Sequence, residues 1–406
     1  MPACPFARGR QTIRALVTTM SAEYTSNHFV PQWYQRRFLP EDQADRELYL
    51  LDLKPEFFRD GRGVRRQRKA LRRTGTRRCF AIDDLYTTRV AGVESRELER
   101  VFFGEIDRRG KDAVAFFDRF DHDRVSGSAL TDLMMYMSTQ KLRTPKGLDW
   151  LATQVRTSDR KDVLARMPEL RSLYGAIWAE SVWQIADASA SSTKFIISDH
   201  PVTVYNQACA PGNPLWSKGP NEPDIRLQGT HTIFPLSSER LLILTNQAWA
   251  CSPHRSPLAT RPNPELFRST LFNFHDVQTR RDLAEREVLM INWIIKKRAY
   301  RHIAAVHEEW LYPERNARMT WRAVGDEHLL MPDPRSLTPG AQFAIAYADG
   351  RIEGIDSLGR RPADPRFGHE FRTGDEHLAH RRWCEEFGQL VGAARRGVSW
   401  EDKRDR

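Results

Sequence analysis

The sequence predicts an α+β fold in which a predominantly helical core surrounds a small mixed or antiparallel sheet. Apolar residues recur at three-and-four spacing between residues 93 and 156, which is typical of amphipathic helices. Short apolar runs of strand length, such as residues 195–197, lie between turn-rich segments. With 406 residues, 40% hydrophobic and 29% charged, the composition is that of a globular protein and excludes fibrous and wholly disordered classes.

Three regions are predicted along the chain. The first 22 residues carry no acid and no continuous apolar run, so residues 1–24 are expected to be a flexible tail, with Met20 as an alternative start. Residues 25–330 form the main domain, which contains a basic insertion at 54–78. Beyond residue 331 the charge balance becomes neutral, which indicates a small C-terminal subdomain over 331–406.

The elements are predicted from hydrophobic period and turn residues. Strands are expected at 48–53, with 79–86 as its partner, at 194–204, and in hairpins over 230–245 and 343–355. Helices are expected at 93–109, 112–120, 128–142, 146–156, 170–188, 278–306 and 376–395. The segment 206–225 is rich in proline and glycine and is predicted to be an irregular loop.

Cysteine usage and hydropathy predict a cytoplasmic protein. The five cysteines are scattered without paired spacing, which favours a reducing compartment over disulfides or a thiolate zinc site. No run of about eighteen apolar residues is present, so no membrane span is predicted.

The charge is concentrated in the insertion. The whole chain is +10, but residues 54–78 alone hold eleven basic residues against Glu56 and Asp60, a net of +9. Such a density of arginine predicts a polyanion-binding surface, with nucleic acid favoured over an anionic lipid or a merely solvated loop. If residues 63–73 form a short helix, several of these cations share one face. The candidate RNA-binding residues are Arg65, Arg66, Arg68, Lys69, Arg72, Arg73, Arg77 and Arg78.

Familiar catalytic signatures are absent from the sequence: there is no P-loop, dinucleotide fingerprint or nucleophile elbow. No cofactor is therefore predicted. His369, His377 and His380 lie close together in the sequence but lack a supporting carboxylate pattern, so no metal site is predicted either.

Two candidate sites precede residue 150. His28 lies before Pro31 among aromatic residues and is a candidate general base, or else a core histidine bonded to backbone; nearby Arg37 could clamp an anion or pair with a carboxylate. Gln140 and Arg143 lie three apart at the end of a predicted helix and could hold a ribose, phosphate or adenine edge. The alternative for Arg143 is capping of the helix C-terminus.

Two further candidates follow. Ser198, Asp199 and His200 come directly after a predicted buried strand, a position that suits catalytic groups, although an Asx-type turn is the alternative for Asp199. Glu180 lies beside Trp178 and Trp183 and could hold a guanidinium by ion pairing and cation–π contact, or else belong to a solvated helical face.

Taken together, these motifs resemble the domain-of-unknown-function 4238 family over roughly residues 25–310. The resemblance includes Asn292 on the predicted long helix. The motifs that carry it are His28-Phe-Val-Pro31 with Tyr34 and Phe38, Gln140 with Arg143-Thr-Pro145, Phe195 to Val202, Phe234-Pro-Leu-Ser237, and Asn292 with Ala299.

The resemblance implies an activity, because some members of this family resemble arginine-containing cyclodipeptide synthases. Such an enzyme joins an arginyl group and a second aminoacyl group from two charged tRNAs into a diketopiperazine. By this resemblance the partners are aminoacyl-tRNAs, His28 is the candidate base, Ser198 or a neighbouring amide the candidate oxyanion donor, and Asp199 or Glu180 the candidate guanidinium ligand. Arg37, Gln140, Arg143 and Asn292 are candidate substrate-binding residues.

Two other functions remain open from the residues themselves. One is an RNA-cleaving or RNA-modifying enzyme of toxin or phage-defence type, with His28 and Asp199 as acid and base. The other is a non-catalytic nucleic-acid-binding protein that uses the same basic segment.

Overall fold

The structure is a computed structural model of the chain. It describes residues 26–40, 47–83, 85–86, 88–90, 93–95, 103–120, 126–157, 159–213, 222–253, 256–261, 277–316, 319–337, 342–346, 349–356, 361–365, 367 and 374–391. The predicted tail at 1–24 lies outside these residues.

The helices are distributed along the described chain, with the longest before residue 180 and one near the C-terminus. They are α1 (Gln32–Gln35), α2 (Gly104–Asp118), α3 (Gly127–Arg143), α4 (Pro145–Val155), α5 (Arg160–Ala179), α6 (Gln247–Cys251), α7 (Glu285–Arg298), α8 (Ala323–Asp326) and α9 (Gly374–Val391).

The strands are short and cluster before residue 96 and after residue 180. They are β1 (Ser26–His28), β2 (Glu47–Asp52), β3 (Phe57–Arg59), β4 (Arg65–Gln67), β5 (Leu71–Gly75), β6 (Ala81–Asp83), β7 (Thr88–Val90), β8 (Val93–Ser95), β9 (Ser181–Asp187), β10 (Ile197–Ser198), β11 (Thr203–Asn206), β12 (Thr230–Pro235), β13 (Arg240–Asn246), β14 (Gln278–Asp282), β15 (His302–Ala305), β16 (Gln342–Ala346) and β17 (Ile352–Asp356). The predicted α+β class is confirmed, with several small sheets rather than one.

The largest sheet has five strands in the order β11-β12-β13-β9-β14. Its neighbours pair antiparallel except β9 and β14, which are parallel. The prediction of a helix over 170–188 is wrong in its second half, because α5 ends at Ala179 and β9 follows. Six of the seven residues of β9 are buried because the strand lies inside the sheet, and they include the polar Ser181 and Gln184. The sequence of such a strand lacks the polar–apolar alternation of a half-exposed strand.

A second sheet has four antiparallel strands in the order β10-β15-β2-β5. The strand predicted at 48–53 is present as β2, but its partners are β5 and β15. The expected partner, residues 79–86, contains β6 instead, which pairs with β1. The segment predicted as a helix over 93–109 begins with β8, the partner of β7, and helix α2 starts at Gly104.

The basic insertion folds as strands, so the helix considered over 63–73 is wrong. Strands β3 and β4 form a hairpin that pairs Phe58 with Arg66. Its turn is fixed by Asp60, whose Oδ1 accepts the amides of Arg62 at 2.9 Å and Val64 at 3.0 Å, while Gly63 takes a φ of +77° that favours glycine. Strand β5 then returns the chain to the four-stranded sheet. We call residues 54–78 the basic arm.

The helix predicted over 278–306 is divided into β14, α7 and β15. Helix α7 ends at Arg298, and the amides of Tyr300, Arg301 and His302 donate to the Asp199 carboxylate at 2.7 to 2.8 Å. The backbone amides that follow the end of a helix need hydrogen-bond acceptors when they are buried. The Asp199 carboxylate is the acceptor for three of them, and it thereby stabilises the turn from α7 into β15.

One large apolar core connects both sheets with helices α2 to α5 and α7. A smaller cluster joins Trp249 and Met331 to Trp383 and Phe387 of α9. The hairpin β16–β17 and helix α9 occur where the sequence predicts them, whereas the domain boundaries stay predictions. None of the helices within the described residues has the length and apolar character needed to cross a bilayer.

Candidate functional site

Motifs that are far apart in the sequence meet at the C-terminal end of α3. Gln140 donates from Nε2 to the carbonyl of Phe29 at 2.8 Å, which ties the His28 motif to this helix. On the next turn, Thr144 Oγ1 lies 2.7 Å from Nδ1 of His200. The helix end therefore connects the first and third candidate motifs.

Gln140 and Arg143 act as a buried pair. Oε1 of Gln140 accepts from Nε of Arg143 at 2.8 Å, and Nη1 of Arg143 lies 2.9 Å from Oδ1 of Asp107. The guanidinium stands over the rings of Phe103 and Tyr136. Both side chains are at most 2% exposed, so their contacts here hold α3 against α2 rather than cap the helix. Their roles in substrate binding stay predictions.

A buried cluster of charges, which sequence reasoning missed, surrounds His200. Nζ of Lys141 lies 2.6 Å from Oε2 of Glu222, and Nζ of Lys146 lies 3.0 Å from Oε1 of the same carboxylate. Lys146 also donates to the carbonyl of Arg298 at 2.6 Å. Burial lowers the pKa of Lys141 and lowers that of Lys146 to about 8. Burial also opposes ionisation of Glu222, but the two ammonium groups outweigh it and hold the pKa of Glu222 well below its ordinary value.

His200 is enclosed in this cluster and is 1% exposed. Its Nε2 lies 3.0 Å from Oε1 of Glu222 and 3.2 Å from Nζ of Lys141. Burial is the main cause that lowers the pKa of His200 to about 4, so the ring is neutral at pH 7. The cluster depends on a close approach at Gly147, where a Cβ would lie 2.7 Å from the carbonyl oxygen of Leu142.

Ser198 and Asp199 also have partners within the fold. Oγ of Ser198 accepts the amide of His200 at 3.2 Å, and the Asp199 carboxylate accepts the three amides that follow α7. Burial raises the pKa of Asp199, and these amides oppose the rise. Such contacts favour a turn role for both residues, and their catalytic roles stay predictions.

His28 is the most accessible of the candidate catalytic residues. Its Nε2 lies 3.0 Å from the carbonyl oxygen of Arg77, at the end of the basic arm. Because a carbonyl only accepts, Nε2 carries the proton and Nδ1 holds the lone pair. Burial lowers the pKa of His28, against the backbone contacts that raise it, so the neutral form predominates at pH 7. A neutral imidazole with a lone pair on Nδ1 can act as a general base.

The remaining candidates have other partners in the fold. Arg37 pairs with Asp118 at 2.6 Å, which is the alternative considered for it. Asn292 bridges to the chain before β10, accepting the amide of Ile196 at 3.1 Å. Glu180 lies in the turn between α5 and β9, not on a helical face, and forms an ion pair with Arg361.

The basic arm presents its charges to solvent. The eight candidate RNA-binding residues are all exposed, and Phe57 and Phe58 of β3 are exposed as well, at 55% and 42%. The guanidinium of Arg65 stands 4.1 Å from the centre of the Phe57 ring. Exposed aromatic rings beside arginines are typical of surfaces that stack on bases and contact phosphates.

No group of histidine, cysteine, aspartate and glutamate side chains suited to a metal ion occurs among the residues that the structure describes. His380 contacts Cys384, with Nε2 3.6 Å from Sγ, while His369 lies outside the described residues.

These features define an α+β protein in which the basic arm contacts His28, and the buried polar residues at the C-terminal end of α3 connect the His28 motif with His200. Residues 172–309 match the family described as "Protein of unknown function (DUF4238)", which confirms the predicted resemblance over this range. The match includes Glu180, residues 198–200 and Asn292, whereas His28, Gln140, Arg143 and the basic arm lie before it. No curated protein and no solved structure gave a significant match.

Proposed function

We propose that this protein is a tRNA-dependent cyclodipeptide synthase that joins an arginyl group and a second aminoacyl group. The observation that carries the proposal is the contact between Nε2 of His28 and the carbonyl oxygen of Arg77. This contact places a neutral candidate base beside the C-terminal end of the basic arm, which has a net charge of +9. A polyanion held on the arm would therefore approach His28.

The chemistry needs little beyond a base and an RNA-binding surface. The amine of one aminoacyl-tRNA attacks the ester carbon of the other, a C–N bond forms, and the C–O bond to the ribose breaks. His28 Nδ1 accepts the proton of the attacking amine and returns it to the departing ribose oxygen. The second amine then closes the ring by the same exchange. Both esters are already activated, so no nucleotide triphosphate is required.

The contact between Glu180 and Arg361 supports Glu180 as the guanidinium ligand. Its side chain is 6% exposed and already accepts a guanidinium from within the chain. A buried carboxylate of this kind favours arginine over lysine because the guanidinium fork matches its two oxygens. In this proposal the arginyl group replaces Arg361 during the reaction.

The RNA-cleaving alternative has less support. It requires Asp199 as the partner of His28, and the Asp199 carboxylate is already engaged by three backbone amides. A non-catalytic RNA-binding protein would use the same arm, but it would not require His28.

The test is in vitro synthesis with purified protein, arginyl-tRNA and a mixture of other aminoacyl-tRNAs, followed by mass spectrometry. We expect an arginine-containing diketopiperazine, and a loss of at least about 100-fold in rate for His28→Gln, the usual range for general-base removal. The matched control is His307→Gln, because His307 is an exposed histidine that belongs to none of the quoted motifs. Absence of product, or equal rates for His28→Gln and the unsubstituted protein, would contradict the proposal.

A further inference from the structure

A cavity of about 270 Å³ lies between the five-stranded sheet and the segment that carries α8. None of the sequence motifs contributes to it. Its lining residues combine aromatic, apolar and polar side chains, and they include Tyr205, Gln207, His231, Trp249, Asp326 and Leu330. A volume of this size suits a ligand as small as a nucleoside.

His231 provides a defined hydrogen-bond acceptor to this cavity. The hydroxyl of Thr245 donates to the carbonyl of Leu330 at 3.1 Å, so Oγ1 must accept the proton from Nδ1 of His231, 3.0 Å away. In this tautomer Nε2 bears the lone pair. Among the described residues Nε2 has no hydrogen-bond partner, although His231 is only 5% exposed. An acceptor on a residue that lines a cavity, with no partner inside the described fold, is available to a ligand.

The surroundings of His231 keep it neutral. Burial, together with the guanidinium groups of Arg261 and Arg281, lowers the pKa of His231 to about 3. The positive charge that these two guanidinium groups exert on His231 also disfavours an ammonium group beside its ring. The ligand group that meets Nε2 is therefore a neutral N–H or O–H donor.

The other lining residues suit the two parts of a nucleoside. Tyr205 is held by donation from its hydroxyl to the carbonyl of Trp321 at 2.6 Å, and with Trp249 it offers aromatic surface for a base. Asp326 has a side chain that is 60% exposed, so it lies at the open side of the cavity. A carboxylate at that position can accept from ribose hydroxyls.

We propose that this cavity binds a nucleoside whose base carries an exocyclic amine, which donates to Nε2 of His231. The nucleoside is either free or the terminal residue of an RNA. The second source rests on the RNA-binding part of the proposed function, whereas binding of the nucleoside itself requires no aminoacyl transfer.

Adenosine and inosine form the decisive pair of probes. They share ring size and ribose, but inosine has a carbonyl oxygen in place of the exocyclic amine and carries its donor on N1. In the pose proposed for adenosine, inosine would therefore place two acceptors against each other. We expect calorimetry to give a dissociation constant at least about tenfold lower for adenosine than for inosine. Equal affinities, or no binding of adenosine at millimolar concentration, would overturn the proposal.

His231→Phe removes the acceptor while keeping a flat ring. In this variant adenosine is expected to lose its advantage over inosine, whereas the surface variant His307→Phe should retain it. If the buried substitution prevents folding, the affinities of the unsubstituted protein for adenosine and inosine still test the proposal.

Short single-stranded RNAs that end in adenosine or inosine identify the source of the nucleoside. A terminal site predicts that the adenosine-ended RNA binds tighter than free adenosine and that His231→Phe removes the preference for its last base. A site for a free nucleoside predicts the adenosine preference without any effect of the RNA terminus. These assays contain no aminoacyl groups, so their failure is distinguishable from a failure of diketopiperazine synthesis.

Discussion

At the scale of single residues, polar side chains in this protein are buried with specific partners. Asp199 accepts three backbone amides, and His200 lies between a threonine hydroxyl and a Lys–Glu pair. Removing a group in such a position would lower stability, because its buried partners would lose their hydrogen bonds. His28 differs, because its contact to Arg77 leaves one ring nitrogen able to accept a proton.

Asp199→Ala is expected to lower the free energy of unfolding by about 3 kcal/mol, because the amides at residues 300–302 would lose their acceptor. Urea denaturation followed by circular dichroism measures this loss. The control Asp149→Ala removes a carboxylate that contacts the hydroxyl of Tyr300 at 2.5 Å on the exposed side of the same turn. If Asp199→Ala keeps full stability but loses activity, Asp199 belongs to the reaction and not to the turn.

The buried histidines make the protein less stable as the pH is lowered below 6.5. His200 and His231 have pKa values of about 4 and about 3 in the folded protein, below the ordinary value of 6.5. Between pH 6.5 and 4.5 the unfolded chain binds protons that the folded protein does not. The free energy of unfolding should therefore decrease by about 1.4 kcal/mol per pH unit for each histidine.

Urea titrations at several pH values measure this slope. The variant His231→Phe should reduce it by about 1.4 kcal/mol per pH unit, whereas His307→Phe should not change it. A pH-independent free energy of unfolding over this range would show that the two rings titrate normally.

At the scale of elements, the basic arm and the core follow different rules. The arm exposes arginines and two phenylalanines, so its substitution is expected to change binding and leave stability nearly unchanged. The core elements gain their stability from shared burial, as in β9, where six of seven residues are enclosed.

We expect weaker RNA binding when alanine replaces Arg65, Arg66, Arg72 and Arg73. The slope of log K against the logarithm of salt concentration should become less steep by about 0.7 for each lost phosphate contact to a single strand. Phe58→Ala should instead lower the affinity for single-stranded RNA by about tenfold and leave the salt slope unchanged, because stacking releases no counterions. Filter binding over a salt series separates the two effects.

Matched controls for the arm are Arg166→Ala and Arg286→Ala, which remove exposed arginines of α5 and α7 that pair with glutamates. An arm variant that binds RNA with the same affinity and salt slope as these controls would assign the arm to another partner.

At the scale of the whole molecule, the C-terminal segment is tied to the region that matches the family. Arg361 forms an ion pair with Glu180, and their side chains are 12% and 6% exposed. Trp383 and Phe387 of α9 pack against Trp249 and Met331. Residues beyond 331 therefore contribute contacts to the main domain.

Arg361→Ala is expected to lower the free energy of unfolding by about 3 kcal/mol, because the Glu180 carboxylate would stay buried without this guanidinium. The double variant Glu180→Gln with Arg361→Ala should recover part of that loss. Arg351→Ala, which removes an exposed arginine paired with Asp349, should change stability little. Thermal denaturation compares the four proteins, and a double variant no more stable than Arg361→Ala would contradict the pairing.

Much of the fold could be predicted from the sequence because the amphipathic helices and the hairpin β12–β13 have clear periods and turn signals. The helices at 170–188 and 278–306 were predicted too long. In the first, the helix is followed by a buried strand without polar–apolar alternation, and in the second, a distant carboxylate at Asp199 accepts the amides that follow the helix end.

The site was harder to predict. Contacts such as Lys141 with Glu222 and His231 with Thr245 join residues that are distant in sequence or show no motif, so no spacing reveals them. The one available signal was the presence of lysines at 141 and 146 on the apolar end of α3 and the start of α4, where a buried charge requires a partner.

The way in which the basic arm is attached has an evolutionary consequence. Leu51 of β2 lies opposite Leu71 of β5, and the amide of Asp52 donates to the carbonyl of Ala70 at 2.8 Å, so the arm leaves and re-enters the sheet at neighbouring points. A tight turn joining residues 52 and 70 would replace the hairpin β3–β4 and close the β2–β5 ladder without disturbing any strand of the four-stranded sheet. The hairpin β3–β4 is thus a module that insertion or deletion could lengthen, shorten or transplant, and related chains could present different surface charges while conserving the same scaffold.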